Sequence, residues 1–201
     1  KQHQALADKE QAELEKHTQV YVKDIVQTVF SKSENIHFPV TIGSQLPHFN
    51  NGDFSIGQNV YHYDGHLAFS NEKKTAKELL DTAFLFLHAP YLWGGRSPFG
   101  LDCSGFTQLV FKLNGYTLPR DAYQQVELGK PLSFVEEAEA GDLAFFDNED
   151  GQITHVGLML DNQTIIHASG KVRSDKIDHH GIFNEETKQY THKLRLIRRI
   201  L

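Results

Sequence analysis

The chain has 201 residues, of which 39% are hydrophobic and 23% charged, so it is long enough and apolar enough to bury a globular core. Its formal net charge of −6 excludes a general nucleic-acid binder, which would show a basic face, and no apolar run approaches the roughly 18 residues that a membrane span needs. Cys103 is the only cysteine, which excludes an internal disulfide and leaves the redox compartment open.

The first predicted element is a polar helix. Residues 3–30 are densely charged in their first half and apolar in their second half, which is typical of a packing or linking helix. We therefore expect an N-terminal helical segment over residues 1–34.

The next segment has the pattern of short β-strands. Residues 36–69 hold brief apolar runs that are broken by Gly, Pro, Asn and Asp, with turn dipeptides at Asn51-Gly52 and Asp64-Gly65. Such punctuation is typical of small antiparallel hairpins. The sequence therefore predicts part of a small β-barrel over residues 35–70.

A domain that starts with a helix is predicted from residue 71 onwards. Thr75 and Glu78 form a capping box ahead of the apolar stripe ELLDTAFLFLHA. Pro90 marks the expected end of this helix, because the residue before a proline is pushed out of the helical conformation.

A second helix is predicted around Cys103. Apolar residues recur at i, i+3, i+4 and i+7 from Phe106 to Leu113, with Asp102 as a suitable N-cap and Gly115 as a suitable residue after the C-cap. Cys103 then lies in the first turn, where unpaired backbone N–H groups favour the thiolate although the neighbouring carboxylate opposes it. From its position alone, Cys103 is either a reactive nucleophile or a small buried hydrophobe.

Two histidines are candidate partners for this thiol. The segments GQITHVGLML at 151–160 and TIIHAS at 164–169 alternate like the two strands of a hairpin. In that hairpin His155 and His167 lie opposite or nearly opposite on one face, with Gly157 leaving room above the sheet. One imidazole can then hold the tautomer of the other, which accepts the thiol proton. The alternative for each histidine is a satisfied position in the core.

Zinc binding is another possible use of one cysteine and two histidines. Structural zinc needs four protein ligands and catalytic zinc three with a water, often from closely spaced pairs. The sequence has no CxxC, HxH or HExxH pattern, which favours nucleophilic catalysis over a metal site.

Several separated motifs together resemble one enzyme family. PYLWGGRSPFGLDCSGF is followed by PRDAYQQ, AGDLAFF, THVGLML and IIHASG, and this stretch of roughly residues 75–200 resembles the NlpC-type cysteine peptidases of bacterial cell-wall metabolism. The resemblance implies an α+β, papain-like cysteine peptidase domain over residues 71–201, with the nucleophile helix packed on an antiparallel sheet. It also implies that Cys103 is the nucleophile, His155 the general base and His167 the third polar residue.

The resemblance implies an activity and a set of substrate contacts as well. Family members cleave the γ-D-glutamyl bond to diaminopimelate or lysine in peptidoglycan stem peptides. Tyr91 matches a tyrosine that lines the site, while Asp102 and Ser104 match residues that bind the terminal ammonium of peptides with a free N-terminal L-Ala. Asp121 is a candidate substrate contact, and Arg120 beside it is interpreted as structural.

The expected setting of the enzyme follows from the same resemblance. Residues 35–70 resemble the bacterial SH3-like domains often found upstream in this family, which in some relatives close one end of the cleft. The partner is a peptidoglycan peptide, with no nucleic acid, no metal or organic cofactor, and a monomer as the expected state. We expect a cell-envelope location, periplasmic or secreted, because of the wall substrate and the start at Lys1, which either a removed signal peptide or a trimmed chain would leave. A cytoplasmic recycling enzyme is the alternative.

Two other functions stay open on the sequence. The first is a papain-like amidase or acyltransferase that acts on another acyl substrate, because the motifs define the nucleophile better than the substrate. The second is a non-catalytic cell-wall binding module. The presence of Cys103, His155 and His167 together argues against this second alternative.

Overall fold

The computed structural model describes residues 18–201, which form two units, each with its own apolar core. The chain passes from one unit to the other between Lys73 and Lys74. Among these described residues, no helix has the length and apolar character needed to cross a membrane.

The first unit consists of short antiparallel strands. These are β1 (Val20–Val22), β2 (Val26–Ser31), β3 (Ile36–Thr41), β4 (Asp53–Ile56), β5 (Asn59–His62) and β6 (Leu67–Phe69). Strand β1 pairs with β6, and the other four form a sheet in the order β3-β2-β5-β4. Valines of β1 and β2 pack with Leu46, Phe54 and Tyr63 to form the core of this unit.

The predicted N-terminal helix is wrong for the part of it that the structure describes. Residues 18–30 form β1 and most of β2 instead, and residues 3–17 lie outside the described residues. Val20 and Val22 are both buried on one face of a strand, whereas a helix would point side chains two residues apart to different sides. Strands are already present from Val20, so the predicted boundary at residue 35 does not separate a helix from a barrel.

The second unit combines a few helices with a larger sheet. Its helices are α1 (Ala76–Phe84), α2 (Cys103–Leu113) and α3 (Ala122–Gln125), with one 3₁₀ turn at Val135–Glu137. Its strands are β7 (Arg96–Ser97), β8 (Gly100–Leu101), β9 (Lys130–Leu132), β10 (Leu143–Asp147), β11 (Ile153–Met159), β12 (Thr164–Ser169), β13 (Lys171–Asp178), β14 (Gly181–Asn184) and β15 (Gln189–Arg199).

The sheet of this unit closes on itself. Strands β10 to β15 pair antiparallel in chain order, and β10 also pairs with β15, which closes the sheet. Strand β9 pairs with the last residues of β15. Apolar side chains such as Phe146, Met159, Ile165 and Ile182 fill the core of the closed sheet. Because alternate residues of a strand share a face, His155 lies on the same face of β11 as Met159.

Helix α1 begins as predicted and ends earlier than predicted. Thr75 Oγ1 accepts a hydrogen bond from the Glu78 N–H, and the Glu78 carboxylate accepts one from the Thr75 N–H, which completes the capping box. The helix ends at Phe84 because the chain just before Pro90 exchanges backbone hydrogen bonds with Val172 of β13.

Helix α2 has the predicted bounds and caps. The Asp102 carboxylate accepts a hydrogen bond from the Gly105 N–H at 2.6 Å, and the helix ends at Leu113, followed by Gly115 at a φ of 80°. Such a positive φ after a helix is one that glycine adopts without strain. The helix packs against β11 and β12, the two strands that carry the predicted histidines.

Candidate active site

Cys103 is the first residue of helix α2, and only 8% of it is exposed. Burial raises the pKa of its thiol and the Asp102 carboxylate raises it further, while the backbone N–H groups of Val156, Ser104 and Cys103 itself lower it. The net pKa lies above its usual value of 9.0. At neutral pH this residue is therefore a thiol, and it needs a base to become a nucleophile. The contact with Val156 places β11 beside the sulfur.

The two predicted histidines lie on one face of the β11–β12 hairpin and contact each other. His167 stands directly opposite Gly157, so His155 is the diagonal neighbour of His167. Nε2 of His155 lies 2.8 Å from Nδ1 of His167. A Cβ atom on residue 157 would lie 2.9 Å from the Cβ of His167 and 2.6 Å from Cδ1 of Ile165. Gly157 therefore provides the room that the sequence predicts, because any larger residue would displace the histidine.

Asp175 continues this hydrogen-bonded chain from β13. Its Oδ2 lies 3.0 Å from Nε2 of His167, and both side chains are almost fully buried. Arg173 contacts the same carboxylate, with Nε 2.7 Å from Oδ2 and Nη2 donating to Oδ1 at 2.9 Å. Burial alone would raise the pKa of Asp175, but the hydrogen bonds from His167 and Arg173 hold it below its usual range, so the carboxylate is ionised. Nothing local in KVRSDKID marks Asp175, since only the pairing of β12 with β13 brings it to His167.

His192 is a third histidine that the sequence reasoning misses. Its ring stacks on that of His155, with 4.1 Å between the centroids and 27° between the planes. Burial together with the neighbouring His167 lowers the pKa of His192 to about 4. Burial, followed by His167 and His192, also lowers the pKa of His155 well below 6.5. Both rings are consequently neutral at neutral pH, and His155 is available as a base.

The three histidines lie close enough to suggest a metal site, with ring nitrogens within 4.8 Å of one another. In the observed arrangement both nitrogens of His167 are hydrogen-bonded, one to His155 and one to Asp175. The geometry is that of a hydrogen-bonded relay.

The predicted substrate residues Asp102 and Ser104 flank Cys103 in the chain and are bridged by Arg120. Nη1 of Arg120 donates to Oδ1 of Asp102 and to the Ser104 hydroxyl, each at 3.0 Å, and Nη2 donates to Oδ2 of Asp102. Gly94 and Gly105 also donate backbone hydrogen bonds to this carboxylate. Burial favours the neutral acid, but these donors lower the pKa of Asp102, so it is an anion paired with Arg120.

Tyr91 and Asp121 belong to the same neighbourhood. Burial raises the pKa of the Tyr91 phenol, and the charges of Cys103 and Asp102 raise it further, which places the phenol near both groups. Asp121 is the N-cap residue of α3 and lies close enough to Arg120 to raise its pKa. The contacts therefore group Tyr91, Asp102 and Ser104 around Cys103, while Asp121 is linked to them only through its chain neighbour Arg120.

An open cavity of about 770 Å³ lies next to the strand residue that precedes His155, although neither His155 nor Cys103 lines it. Its lining includes Thr154, which precedes His155, and His192, which stacks on it. Asp147 at the end of β10 and Glu149 in the loop after it are acidic, and β15 contributes Lys193, so the lining carries both signs of charge.

Comparisons with known proteins agree with this geometry. The NlpC/P60 family model matches residues 88–195. The gamma-D-glutamyl-L-lysine dipeptidyl-peptidases of Bacillus subtilis (strain 168) and Bacillus cereus (strain ATCC 10987 / NRS 248) are 40% identical over 133 residues and 39% identical over 104 residues. These matches cover 63% and 51% of this chain but 45% and 31% of the relatives, so the chain spans less than half of their length.

A solved structure supports the same relationship. The crystal structure of an NlpC/P60 family protein from Bacillus cereus ATCC 10987 matches with a TM-score of 0.76 at 25% sequence identity, over 96% of this chain and 67% of that chain. The family model covers more than half of the chain and spans Cys103, His155, His167, Asp175 and His192. The resemblance stated from the sequence is confirmed, and the chain belongs to the NlpC/P60 family.

Proposed function

We propose that this chain is a cysteine endopeptidase that hydrolyses the γ-D-glutamyl bond to lysine or diaminopimelate in peptidoglycan stem peptides. The observation that carries the proposal is a buried thiol at a helix start, beside a strand whose histidine is neutral and hydrogen-bonded to a second one. The names of the two Bacillus relatives support a γ-D-glutamyl bond with a diamino acid on its far side.

In the proposed reaction His155 takes the proton of Cys103, and the resulting thiolate attacks the γ-glutamyl carbonyl carbon. The backbone N–H of Cys103 and the Tyr91 hydroxyl stabilise the oxyanion, and losing one such donor typically costs about 10²–10³ in rate. His155 then gives its proton to the departing amine as the C–N bond breaks, which leaves a thioester. Water, deprotonated by His155, hydrolyses the thioester and regenerates the thiol.

We assign the free N-terminus of the substrate to the Asp102–Ser104 side of the nucleophile. A terminal ammonium needs an anion, and Asp102 is ionised and partly buried, where a charge pair is stronger than in bulk water. Arg120 already shares this carboxylate, so the ammonium must occupy the side of Asp102 and Ser104 that Arg120 leaves open.

We place the departing diamino acid in the cavity beside His155, because the protonated base must reach the leaving amine. The substrate fragment carries an ammonium and a carboxylate, and the cavity offers Asp147 and Glu149 for the first and Lys193 for the second. Within residues 18–201, Oδ1 of Asp147 is buried without a hydrogen-bond partner, with Nζ of Lys193 3.9 Å away.

The experiment that tests the proposed specificity compares L-Ala-γ-D-Glu-diaminopimelate with its N-acetylated form. We expect the wild type to cleave the free-amine peptide alone. Asp102→Asn keeps an N-cap oxygen and removes the charge, so it should lose most kcat/KM on the free peptide. Equal cleavage of both peptides by the wild type would reduce Asp102 to a helix cap and make the enzyme a general wall hydrolase.

Several finer expectations belong to the same proposal. We assign a papain-like fold to the second unit and an SH3-like fold to the first. We expect the protein to be a monomer of the cell envelope, and we expect its activity to need no metal. Activity should persist after treatment with EDTA. Mass spectrometry of the products from defined muropeptides separates this activity from that of an amidase or acyltransferase on another acyl group.

A further inference from the structure

His155, His167 and Asp175 form a chain of two hydrogen bonds that starts at the residue before Val156, whose backbone N–H contacts the Cys103 sulfur, and ends on a buried carboxylate. The two N···N and N···O distances are 2.8 Å and 3.0 Å, and the side chains of His167 and Asp175 are 1% and 4% exposed. Nε2 of His155 is used in this chain. Its Nδ1 is therefore the nitrogen left to accept a proton from Cys103.

The positions of the protons follow from the end of the chain. An ionised carboxylate only accepts hydrogen bonds, so the hydrogen bond to Asp175 requires a proton on Nε2 of His167. A neutral His167 then has a lone pair on Nδ1, and this lone pair accepts the proton carried by Nε2 of His155. His155 is left with its own lone pair on Nδ1, which is the form that a base for the thiol requires.

We infer that Asp175 is a positioning residue that, through His167, fixes the tautomer of His155 in which Nδ1 is free to accept the Cys103 proton. The consequence for turnover rests on the proposed peptidase function, whereas the tautomer itself does not depend on it. Asp175 has this role because β13 places it diagonally beside His167, on the face that the two histidines share.

Arg173 supports Asp175 but does not contact the histidine chain through a hydrogen bond of its own. It binds both oxygens of the carboxylate and also pairs with the exposed Glu186 at 3.4 Å. Guanidinium groups donate and never accept, so Arg173 favours the ionised carboxylate. If Asp175 and Arg173 formed a purely structural ion pair, the loss of either residue would have the same effect. Control of the tautomer instead needs only the Asp175 carboxylate, which accepts the proton of His167. The two roles therefore predict different results for the two residues.

The first test uses the wild-type protein labelled with ¹⁵N at histidine. Two-bond ¹H–¹⁵N correlation spectra at pH 8 report which ring nitrogen carries the proton. We expect Nε2–H and an unprotonated Nδ1 for both His155 and His167. A proton on Nδ1 of His155, or a doubly protonated His167, would overturn the inference. This measurement requires no variant and no substrate.

The second test compares Asp175→Leu, which has similar size and no acceptor, with Arg173→Gln as the matched control. Removing the orienting carboxylate of a Ser-His-Asp triad lowers kcat by about 10⁴. Asp175 is one imidazole further from the nucleophile, so we expect kcat to fall by about 10² with KM nearly unchanged. In Asp175→Leu, His155 should populate the Nδ1–H tautomer, whereas Arg173→Gln should keep the wild-type tautomer and kcat within a few-fold.

Two results would contradict the inference. The first is an Asp175→Leu variant that keeps the His155 Nε2–H tautomer and the wild-type kcat. The other is an Arg173→Gln variant that loses as much kcat as Asp175→Leu with the tautomer unchanged, which would identify a structural ion pair. If the wild type cleaves no γ-D-glutamyl peptide, the proposed function fails, and the spectra still decide the role of Asp175.

Discussion

At the scale of single residues, burial determines the charge of Cys103 and His155, the two groups that we propose to react. It raises the pKa of the Cys103 thiol above 9.0 and lowers that of the His155 imidazole well below 6.5. At pH 7 the thiol therefore keeps its proton, and the imidazole lacks one. The pair rests as two neutral groups, so in the proposed reaction proton transfer accompanies the attack on the substrate.

Direct titration of the thiol tests this resting state. A group whose pKa is raised is half-deprotonated only at that raised pKa, so the midpoint of the thiolate absorbance in the ultraviolet should lie above pH 9.0. Cys103→Ala provides the matched blank, because Cys103 is the only cysteine in the chain. A titration midpoint below pH 7 would show that the residue rests as a thiolate.

At the scale of elements, local signals predict α2 and long-range pairing completes the site. The cap at Asp102 and the apolar spacing after it lie within one short segment, so the sequence predicts this helix correctly. Asp175 and His192 reach the site only through the pairing of β13 and β15, which no local pattern encodes. The error in residues 3–30 has the same origin. Their local charge pattern suggests a helix, whereas Val20 belongs to strand β1, which forms by pairing with the distant β6.

Gly157 is the point at which the β11–β12 hairpin makes room for its histidines. A Cβ atom there would lie 2.6 Å from Cδ1 of Ile165 and 2.9 Å from the Cβ of His167. We expect Gly157→Ala to lower the free energy of unfolding in urea by about 1–3 kcal/mol, as overpacking usually does, and to lower kcat. Adding Ile165→Val removes the nearest atom and should recover part of the stability. An unfolding midpoint equal to that of the wild type would show that the hairpin has spare room.

At the scale of the whole molecule, two β-rich units lie in one chain, and the predicted site residues all belong to the second unit. Family membership rests on residues 88–195, and the chain spans less than half of the two Bacillus relatives. The motifs predict the nucleophile and the base, because each of these residues lies within one short segment. The substrate is less well determined, since the cavity beside His155 is built from β10, β15 and a loop that are distant in sequence.

Glu149 tests the placement of the leaving group in that cavity. An exposed ion pair contributes roughly 0.2–1 kcal/mol, so Glu149→Gln should lower kcat/KM for L-Ala-γ-D-Glu-L-Lys by about 1.4- to five-fold. The norleucine analogue lacks the ammonium and should be cleaved equally by both proteins. Asp150→Asn is the matched control, because Asp150 is in the same loop but outside the cavity lining. Equal losses on both peptides would place the ammonium elsewhere.

The release of diaminopimelate from L-Ala-γ-D-Glu-diaminopimelate, by wild type and by Cys103→Ala, tests the central claim most directly. We expect the wild type to release the free diamino acid, with no release by the folded Cys103→Ala variant. Release by the variant would contradict the assignment of Cys103 as nucleophile. A wild type that cleaves neither this peptide nor its lysine counterpart would contradict the γ-D-glutamyl substrate.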